Sequence, residues 1–104
     1  MALEQSRPSL PLSVVAVIGA VKANLEEVGN SHPCTYVERA SNIAGLPYQI
    51  SPLIGSENIG VLFDAIEAAN QAETVMETAQ NGITSAGMVI VMERKVEKLF
   101  ARLP

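Results

Sequence analysis

One histidine and one cysteine, His32 and Cys34, are the residues of this chain whose types and spacing come closest to a catalytic pair. They lie two positions apart, with Pro33 between them. Nucleophilic catalysis needs a base within hydrogen-bond reach of the nucleophile and a third group that orients the base. Nothing in this spacing demands that arrangement. A metal site needs three or four ligands, which this pair does not supply alone. We therefore expect neither catalysis nor metal binding here.

Other patterns for catalysis or cofactor binding do not occur in the sequence. The glycines form neither a G-x-G-x-x-G fingerprint nor a P-loop with its lysine. Glu26 and Glu27 are adjacent, so their carboxylates would lie on different faces of a helix. We therefore expect a protein that is not an enzyme and that has no cofactor. A small isomerase or cyclase stays open as a third alternative behind the two function classes described below.

The charges argue against a nucleic-acid surface. The formal net charge is −4, and the lysines and arginines are scattered except for four near the C-terminus. Glu93 and Glu97 lie among those four, which are Arg94, Lys95, Lys98 and Arg102. A mixture of this kind is typical of a solvated helix face and not of a surface that follows phosphates. We expect no nucleic-acid partner.

The compartment follows from the cysteine count and from one apolar run. A single cysteine allows no internal disulfide, which fits a reducing compartment such as the cytoplasm. The run "LPLSVVAVIGAVKA", residues 10–23, follows Arg7 and could pass for the apolar core of a signal peptide. However, Pro11 interrupts it and it is too short to span a bilayer. The expected location is cytoplasmic, without a membrane partner.

Size and composition predict one domain that associates with itself. The chain has 104 residues, of which 48% are hydrophobic and only 17% are charged. Soluble domains usually contain about 25% charged residues. A chain this small and apolar is expected to cover part of its remaining surface with another subunit, as a homo-oligomer. Residues 1–9 read as a loose N-terminal arm, and residues 10–104 as a single α/β sandwich domain.

Three apolar segments are predicted to be β-strands. Residues 12–19, "LSVVAVIG", are β-branched and continuous, as expected of a strand buried on both faces. Residues 46–54 contain Pro47 and Pro52, which cannot donate to a ladder and therefore belong at an end, a bulge or an edge. This segment can also be two very short strands with a bend between them. Residues 86–94 contain an unbroken apolar run.

The connections between these segments are predicted to be helical. Residues 20–33 are ambiguous between a helix and an inserted loop, whereas residues 34–45 favour a short helix. Thr35 is placed to cap that helix, and Gly45 to end it. A last helix is expected in "RKVEKLFARLP", residues 94–104. Its apolar side must pack against the sheet edge or against a neighbouring subunit.

The clearest helix in the sequence covers residues 59–80, and Asn81-Gly82 is expected to end it. One apolar stripe contains Leu62, Ile66, Ala69 and Met76. A second contains Val61, Ala65, Ala68, Ala72, Val75 and Ala79. Polar residues are expected on the opposite face, namely Asp64, Glu67, Gln71, Thr74 and Thr78. The small alanines predict a helix that lies closely against a sheet.

The order of these elements favours an α+β fold. Strand, helix, strand, helix, strand and helix follow one another, and the second strand can be divided into two. The simplest arrangement at this length is a ferredoxin-like βαββαβ sandwich with an added C-terminal helix. No repeat, linker or low-complexity segment interrupts it.

The order of several motifs resembles that of the small thiamine-binding, ferredoxin-like family. "LSVVAVIG" resembles its first strand and "TYVERA" its first helix. "GLPYQISPLIGSE" is similar to the family's Gly-Leu-x-Tyr strand with its proline, glycine turn and acidic residue. "VLFDAIEAANQA" resembles the second helix, and "MVIVMER" followed by "KVEKL" the last strand and helix. The resemblance covers most of the chain, although residues 20–33 look inserted.

This resemblance implies a non-catalytic, oligomeric binding module for thiamine or a pyrimidine-like ligand. Within "GLPYQISPLIGSENIG", Tyr48 could then stack on a flat cationic ring. Ser51 and Ser56 could supply hydroxyl groups, and Glu57 could face a positive charge. The same residues also have ordinary structural roles. Tyr48 would pack in the sheet, Ser56 or Asn58 would cap the next helix, and Glu57 would complement its dipole.

Two function classes therefore stay open. The first is a small-molecule binding module. The second is a structural or regulatory protein that assembles with itself and has no small ligand. A cavity between the sheet and the helices, lined by Tyr48 and at least one carboxylate, would favour the first class.

Overall fold

The computed structural model describes residues 10–28 and 35–104. These residues form five α-helices and two 3₁₀ turns: α1 (Leu12–Val28), α2 (Thr35–Ala44), α3 (Leu46–Ile50), the turns Ser51–Leu53 and Ser56–Asn58, α4 (Ile59–Gln80) and α5 (Ala86–Phe100). Residues 10–28 and 35–104 contain no β-strand. The predicted α+β class, the ferredoxin-like βαββαβ sandwich and the α/β sandwich over residues 10–104 are therefore wrong, because this part of the chain is all-helical.

Three sequence-based predictions lie outside the described residues. They are the loose arm at residues 1–9, the pair His32 and Cys34, and the part of the ambiguous segment at residues 29–33.

Helix α1 replaces the predicted strand at residues 12–19. Its buried residues are Val14, Ile18, Val21 and Leu25, at spacings of four, three and four. That is the period of a helix, whereas a half-buried strand would bury every second residue. The helix begins after Pro11, whose carbonyl oxygen accepts hydrogen bonds from two backbone N–H groups of the first turn at 3.0 Å. Residues 20–28 of the ambiguous segment are helical.

Helix α5 joins two elements that the sequence divides. The predicted strand at residues 86–94 is wrong, because the same residues continue without a break into the predicted terminal helix. Ser85 caps α5, its side chain accepting a hydrogen bond from the Met88 N–H at 3.3 Å. The buried positions Met92, Val96 and Leu99 again follow helical spacing.

The two prolines of the predicted strand at residues 46–54 lie in helical turns. Pro47 lies in the first turn of α3, where a missing N–H leaves no intrahelical bond unmade. Pro52 occupies the equivalent place in the following 3₁₀ turn. Leu46 and Ile50, four residues apart, bury one side of α3. The prolines therefore start turns here, and do not mark a strand edge.

Helix α4 confirms the predicted helix at residues 59–80 and its end. Gly82 has a φ of +68°, in the left-handed region that favours glycine. Its N–H donates to the Ala79 carbonyl at 3.1 Å, and the Ile83 N–H donates to the Thr78 carbonyl at 2.9 Å. These two bonds form a Schellman motif, which pairs carbonyl groups that the helix end would leave unpaired.

Helix α4 is the centre of the core, and it packs against both α2 and α5. Its second predicted stripe faces inward, since five of its six members are buried: Val61, Ala65, Ala68, Ala72 and Val75. The alanines bring α4 close to neighbouring helices and not to the predicted sheet. Helix α1 covers the core from the side of α2, α3 and α5.

One ion pair fastens three helices together. The Nε and Nη2 atoms of Arg39 in α2 donate to the two carboxylate oxygens of Glu93 in α5, both at 2.7 Å. Its Nη1 atom donates to the Leu25 carbonyl of α1. The hydrogen bonds to Glu93 raise the pKa of Arg39, against an opposing contribution from burial. The guanidinium therefore stays charged and holds α1, α2 and α5 in register.

Candidate functional site

An open groove of about 480 Å³ lies where α3 and the first 3₁₀ turn meet α4. Most of its lining is apolar or uncharged: Ala44, Pro47, Tyr48, Ser51, Pro52, Leu62, Ile66, Ala69, Asn70 and Glu73. Pockets for small ligands commonly have a volume of roughly 300–1,000 Å³ and an apolar lining with a few polar groups. The groove matches that description in both size and chemistry.

Tyr48 forms the outer edge of this groove. Helix α3 turns Leu46 and Ile50 into the core, so Tyr48, midway between them, points away from it. Its side chain is 78% exposed. The alternative that Tyr48 packs in a sheet is therefore wrong. An exposed aromatic ring beside an apolar recess is available to a ligand.

The opposite wall of the groove comes from α4. Leu62, Ile66 and Ala69, three of the four members of the first predicted stripe, line the groove. Asn70 and Glu73 follow on the same side of the helix. Glu73 is the only charged residue that lines the groove within the described part of the chain. This wall therefore joins an apolar surface to one carboxylate.

Only two of the four site residues predicted from the sequence lie at the groove. Tyr48 and Ser51 line the groove. Ser56 is exposed in the second 3₁₀ turn, and Glu57 lines a separate cleft. Neither Ser56 nor Asn58 makes the expected side-chain cap of α4. The first half of the "GLPYQISPLIGSENIG" stretch therefore borders the groove, and its second half borders the separate cleft.

Sequence analysis missed the contribution of α4 to the groove. The signal was present, because Leu62, Ile66, Ala69, Asn70 and Glu73 recur at spacings of three and four. Asn70 and Glu73, the polar residues of that set, show that this side of the helix is exposed to solvent. The prediction of a sheet assigned the whole apolar stripe to the core.

The separate cleft, of about 520 Å³, lies where the start of α4 meets the end of α5. It is polar, and its lining is Leu10, Glu57, Asn58, Gly60, Asp64, Lys98, Ala101 and Arg102. The Arg102 Nε atom donates to Asp64 Oδ2 at 2.7 Å, and the Lys98 Nζ atom lies 3.6 Å from Asp64 Oδ1. Asp64 is buried, so its predicted place on the solvent face of α4 is wrong.

A third recess, of about 550 Å³, surrounds the Arg39–Glu93 ion pair. Lys22, Glu26 and Glu97 lie at its edges. Arg39 and Glu93 already bind each other through two short hydrogen bonds, so their charges are engaged in holding helices. This recess is a consequence of the helix packing.

Residues 10–28 and 35–104 contain no group of three or more histidine, cysteine, aspartate or glutamate side chains arranged to hold a metal ion. No helix in this part of the chain combines the length and the apolar character that crossing a membrane requires.

Comparison of this chain with protein-family models, with curated proteins and with solved structures gives no match. The resemblance to the thiamine-binding family therefore gains no support from these comparisons. The sheet that the resemblance implied is replaced by helices throughout the described residues. Neither the comparisons nor the structure supports thiamine binding. The function proposed below therefore depends on the geometry of the groove.

Proposed function

We propose that this chain is a non-catalytic binding module whose α3–α4 groove holds a small ligand with an apolar body and one cationic group. The observation that supports this most is the pairing of the exposed Tyr48 ring with an apolar recess that contains a single carboxylate, Glu73. The cavity expected between a sheet and helices is replaced by a groove between helices, and its lining of Tyr48 and one carboxylate favours ligand binding over self-assembly.

The apolar body of the ligand would lie along α4. Leu62 and Ile66 present partly exposed aliphatic surface, and Pro47 and Pro52 close the other side. Burying apolar surface contributes about 25 cal/mol per Å². The prolines restrict the backbone of this wall, which limits the entropy that the protein loses when a ligand binds.

The cationic group of the ligand would lie between Tyr48 and Glu73. A cation over a tyrosine ring gains about 0.5–2 kcal/mol, depending on how far it is desolvated. Glu73 is exposed, so its ion pair with the ligand would be weak and would weaken further with salt. The formal net charge of −4 also attracts cations to the protein as a whole.

Binding without chemistry fits the residues of the groove. Ser51 and Tyr48 are its hydroxyl-bearing side chains. The lining contains no histidine, and its one carboxylate, Glu73, makes no hydrogen bond to either hydroxyl. A single cysteine in the whole sequence fits a cytoplasmic location, which we include in this proposal.

Self-association is the second candidate, and a specific surface favours it. Phe63 is 62% exposed on α4, and Ile59 and Ile66 are also exposed on this helix, one turn before it and one turn after it. Exposed aromatic and aliphatic side chains at helical spacing are typical of surfaces that bind another protein. A homo-oligomer formed through this surface would adjoin the groove, because Ile66 belongs to both.

Calorimetric titration with phenylethylamine tests the first candidate, and phenylethanol serves as its neutral counterpart. We expect the amine to bind more tightly than the alcohol. Tyr48→Ala should weaken amine binding by about 2- to 30-fold, the range that corresponds to a cation–π contact. Glu73→Gln should remove most of the preference for the amine, a change of about 2- to 5-fold.

The matched control is Glu77→Gln. Glu77 is exposed one turn further along α4, and it does not line the groove. This substitution changes the net charge as Glu73→Gln does, and we expect it to leave amine binding unchanged. Binding that survives in full in both Tyr48→Ala and Glu73→Gln would remove the ligand from this groove. No binding of either probe at millimolar concentration would favour self-assembly.

A further inference from the structure

The polar cleft at the start of α4 is lined by a largely buried asparagine, Asn58, whose side-chain amide makes no hydrogen bond with the described residues. Asn58 is only 6% exposed and lines the cleft. Among the described residues its side chain makes no hydrogen bond, and it does not cap α4. Every side-chain nitrogen or oxygen that is sealed from solvent in this part of the chain has a partner. The amide of Asn58 must therefore reach the surface of the cleft, where a ligand can bind it.

Arg102 presents two more unused donors to the same cleft. Its Nε atom binds Asp64, whereas its Nη1 and Nη2 atoms have no hydrogen-bond partner among the described residues. A Cβ atom added to Gly60 would lie 3.4 Å from Nη2, so the guanidinium lies directly against the first turn of α4. Gly60 leaves room for this approach. The paired terminal nitrogens of an arginine match the two oxygens of a carboxylate.

The helix itself adds to the positive side of this cleft. Helix α4 has 22 residues, and its first turn begins at the residue after Asn58. The first N–H groups of a helix have no partner within it, and they carry a partial positive charge. The amide of Asn58, the free nitrogens of Arg102 and this helix end therefore converge on one region.

The charges around the cleft limit what can bind. Lys98 and Arg102 supply two positive charges, and Glu57 and Asp64 supply two negative charges. Asp64 is already neutralised by both cations. Glu57 is turned toward Gly55, since its carboxylate oxygens would lie within 3.0 Å of a Cβ atom added there. Two nearby carboxylates disfavour a doubly charged anion more than a singly charged one.

We propose that this cleft is a second binding site, separate from the groove, and that it binds the carboxylate group of a small organic acid. The carboxylate would accept hydrogen bonds from Arg102 Nη1 and Nη2 and from the amide nitrogen of Asn58. Asp64 acts as a positioning residue, because it holds the Nε side of the guanidinium and turns the terminal nitrogens toward the cleft.

Acetate is the probe for this site, and binding is followed through the amide signals of isotope-labelled full-length protein. We expect saturable shifts of the Asn58 side-chain amide and of the Gly60 backbone amide. Asn58→Asp keeps the shape of the side chain and suits a helix N-terminus, so the protein should stay folded. The added negative charge should weaken acetate binding by about tenfold or more.

The matched control is Asn81→Asp, at the far end of the same helix. It adds the same charge on an exposed residue, and acetate binding should be unchanged. Acetate binding that is equally strong in Asn58→Asp and in the wild type would overturn the site. So would an absence of saturable shifts in the wild type. Inorganic phosphate is a second probe, and phosphate that binds this cleft as tightly as acetate would overturn the assignment to a carboxylate.

Discussion

The groove and the polar cleft have similar volumes, about 480 and 520 Å³, and one short stretch of sequence borders both. Tyr48 and Ser51 lie at the groove, whereas Glu57, Asn58 and Gly60 lie at the cleft. The groove has an apolar lining and one exposed carboxylate. The cleft has four charged residues, two of which form a short ion pair.

The carboxylates of these two recesses differ in whether they form ion pairs within the protein. In the cleft, Asp64 in α4 forms an ion pair with Arg102, which lies just beyond α5. The charge of Asp64 therefore helps to hold these two parts of the chain together. In the groove, Glu73 makes no ion pair among the described residues, and its charge is free to act on a ligand. Removing the charge of Asp64 should therefore affect stability first, and removing the charge of Glu73 should affect binding first.

The largest expected effect is that of Asp64→Asn. Removing this buried carboxylate leaves Arg102 and Lys98 without their common partner. A hydrogen bond to a charged group contributes about 1.5–3 kcal/mol. The two cations that remain are partly exposed and can be solvated, so we expect a loss within this range. Urea unfolding measures the free energy. Glu73→Gln is the matched substitution in the groove, and the comparison fails if both variants lose equal stability.

Substituting a larger side chain should destabilise the protein more on the core face of α4 than on its groove face. Ala72 is fully buried, and Ala72→Leu should destabilise by about 1–3 kcal/mol. Ala69 also lines the groove, so in Ala69→Leu the larger side chain can extend into it, with a loss below about 1 kcal/mol. We expect Ala69→Leu to block phenylethylamine binding. An unchanged urea midpoint for Ala72→Leu would contradict the orientation of α4.

The left-handed turn after α4 should produce a smaller loss. Gly82 has no neighbour within 4 Å of an added Cβ, so Gly82→Ala introduces backbone strain without a clash. We expect it to destabilise by about 1 kcal/mol and to change binding at neither recess. Ala20→Gly, on an exposed part of α1, is a control with a similar loss from helix propensity alone. A Gly82→Ala variant as stable as the wild type would contradict the φ of +68°.

The smallest effect on stability is expected for Phe63→Ser. Phe63 is mostly exposed, so the free energy of unfolding of the monomer should change by less than about 0.5 kcal/mol. Sedimentation velocity at micromolar protein measures its other effect. If the α4 surface forms an oligomer, Phe63→Ser should dissociate it. A wild-type protein that sediments as a monomer would remove both the second candidate function and the predicted homo-oligomer.

The sequence allowed two helices of the fold to be predicted: the short helix at residues 34–45, which is α2, and the long helix at residues 59–80. Residues 59–80 combine helical spacing with Asn81-Gly82 at their end, and the structure confirms both. Residues 12–19 and 86–94 fit a strand as well as a helix, because short apolar runs are ambiguous in periodicity. Extending each window would have shown the helical spacing of Val14, Ile18, Val21 and Leu25. The prolines at 47 and 52 suit a helix start as well as a strand end.

The site residues were accessible to sequence analysis only in part. Tyr48 and Ser51 were selected for their chemistry, and the structure places both at the groove. Glu73 could not be linked to them, because that contact depends on how α3 packs against α4. Asn58 was interpreted as a helix cap, a role that depends on a side-chain rotamer that sequence does not determine.

Chemical-shift mapping with phenylethylamine tests the central claim most directly, because it locates a ligand without any substitution. We expect saturable shifts of Tyr48, Ser51, Asn70 and Glu73, all of which line the groove. Signals of Asn58 and Gly60, in the polar cleft, should stay unchanged. Shifts confined to the polar cleft, or no saturable shift of the groove residues at millimolar amine, would contradict a binding function for the α3–α4 groove.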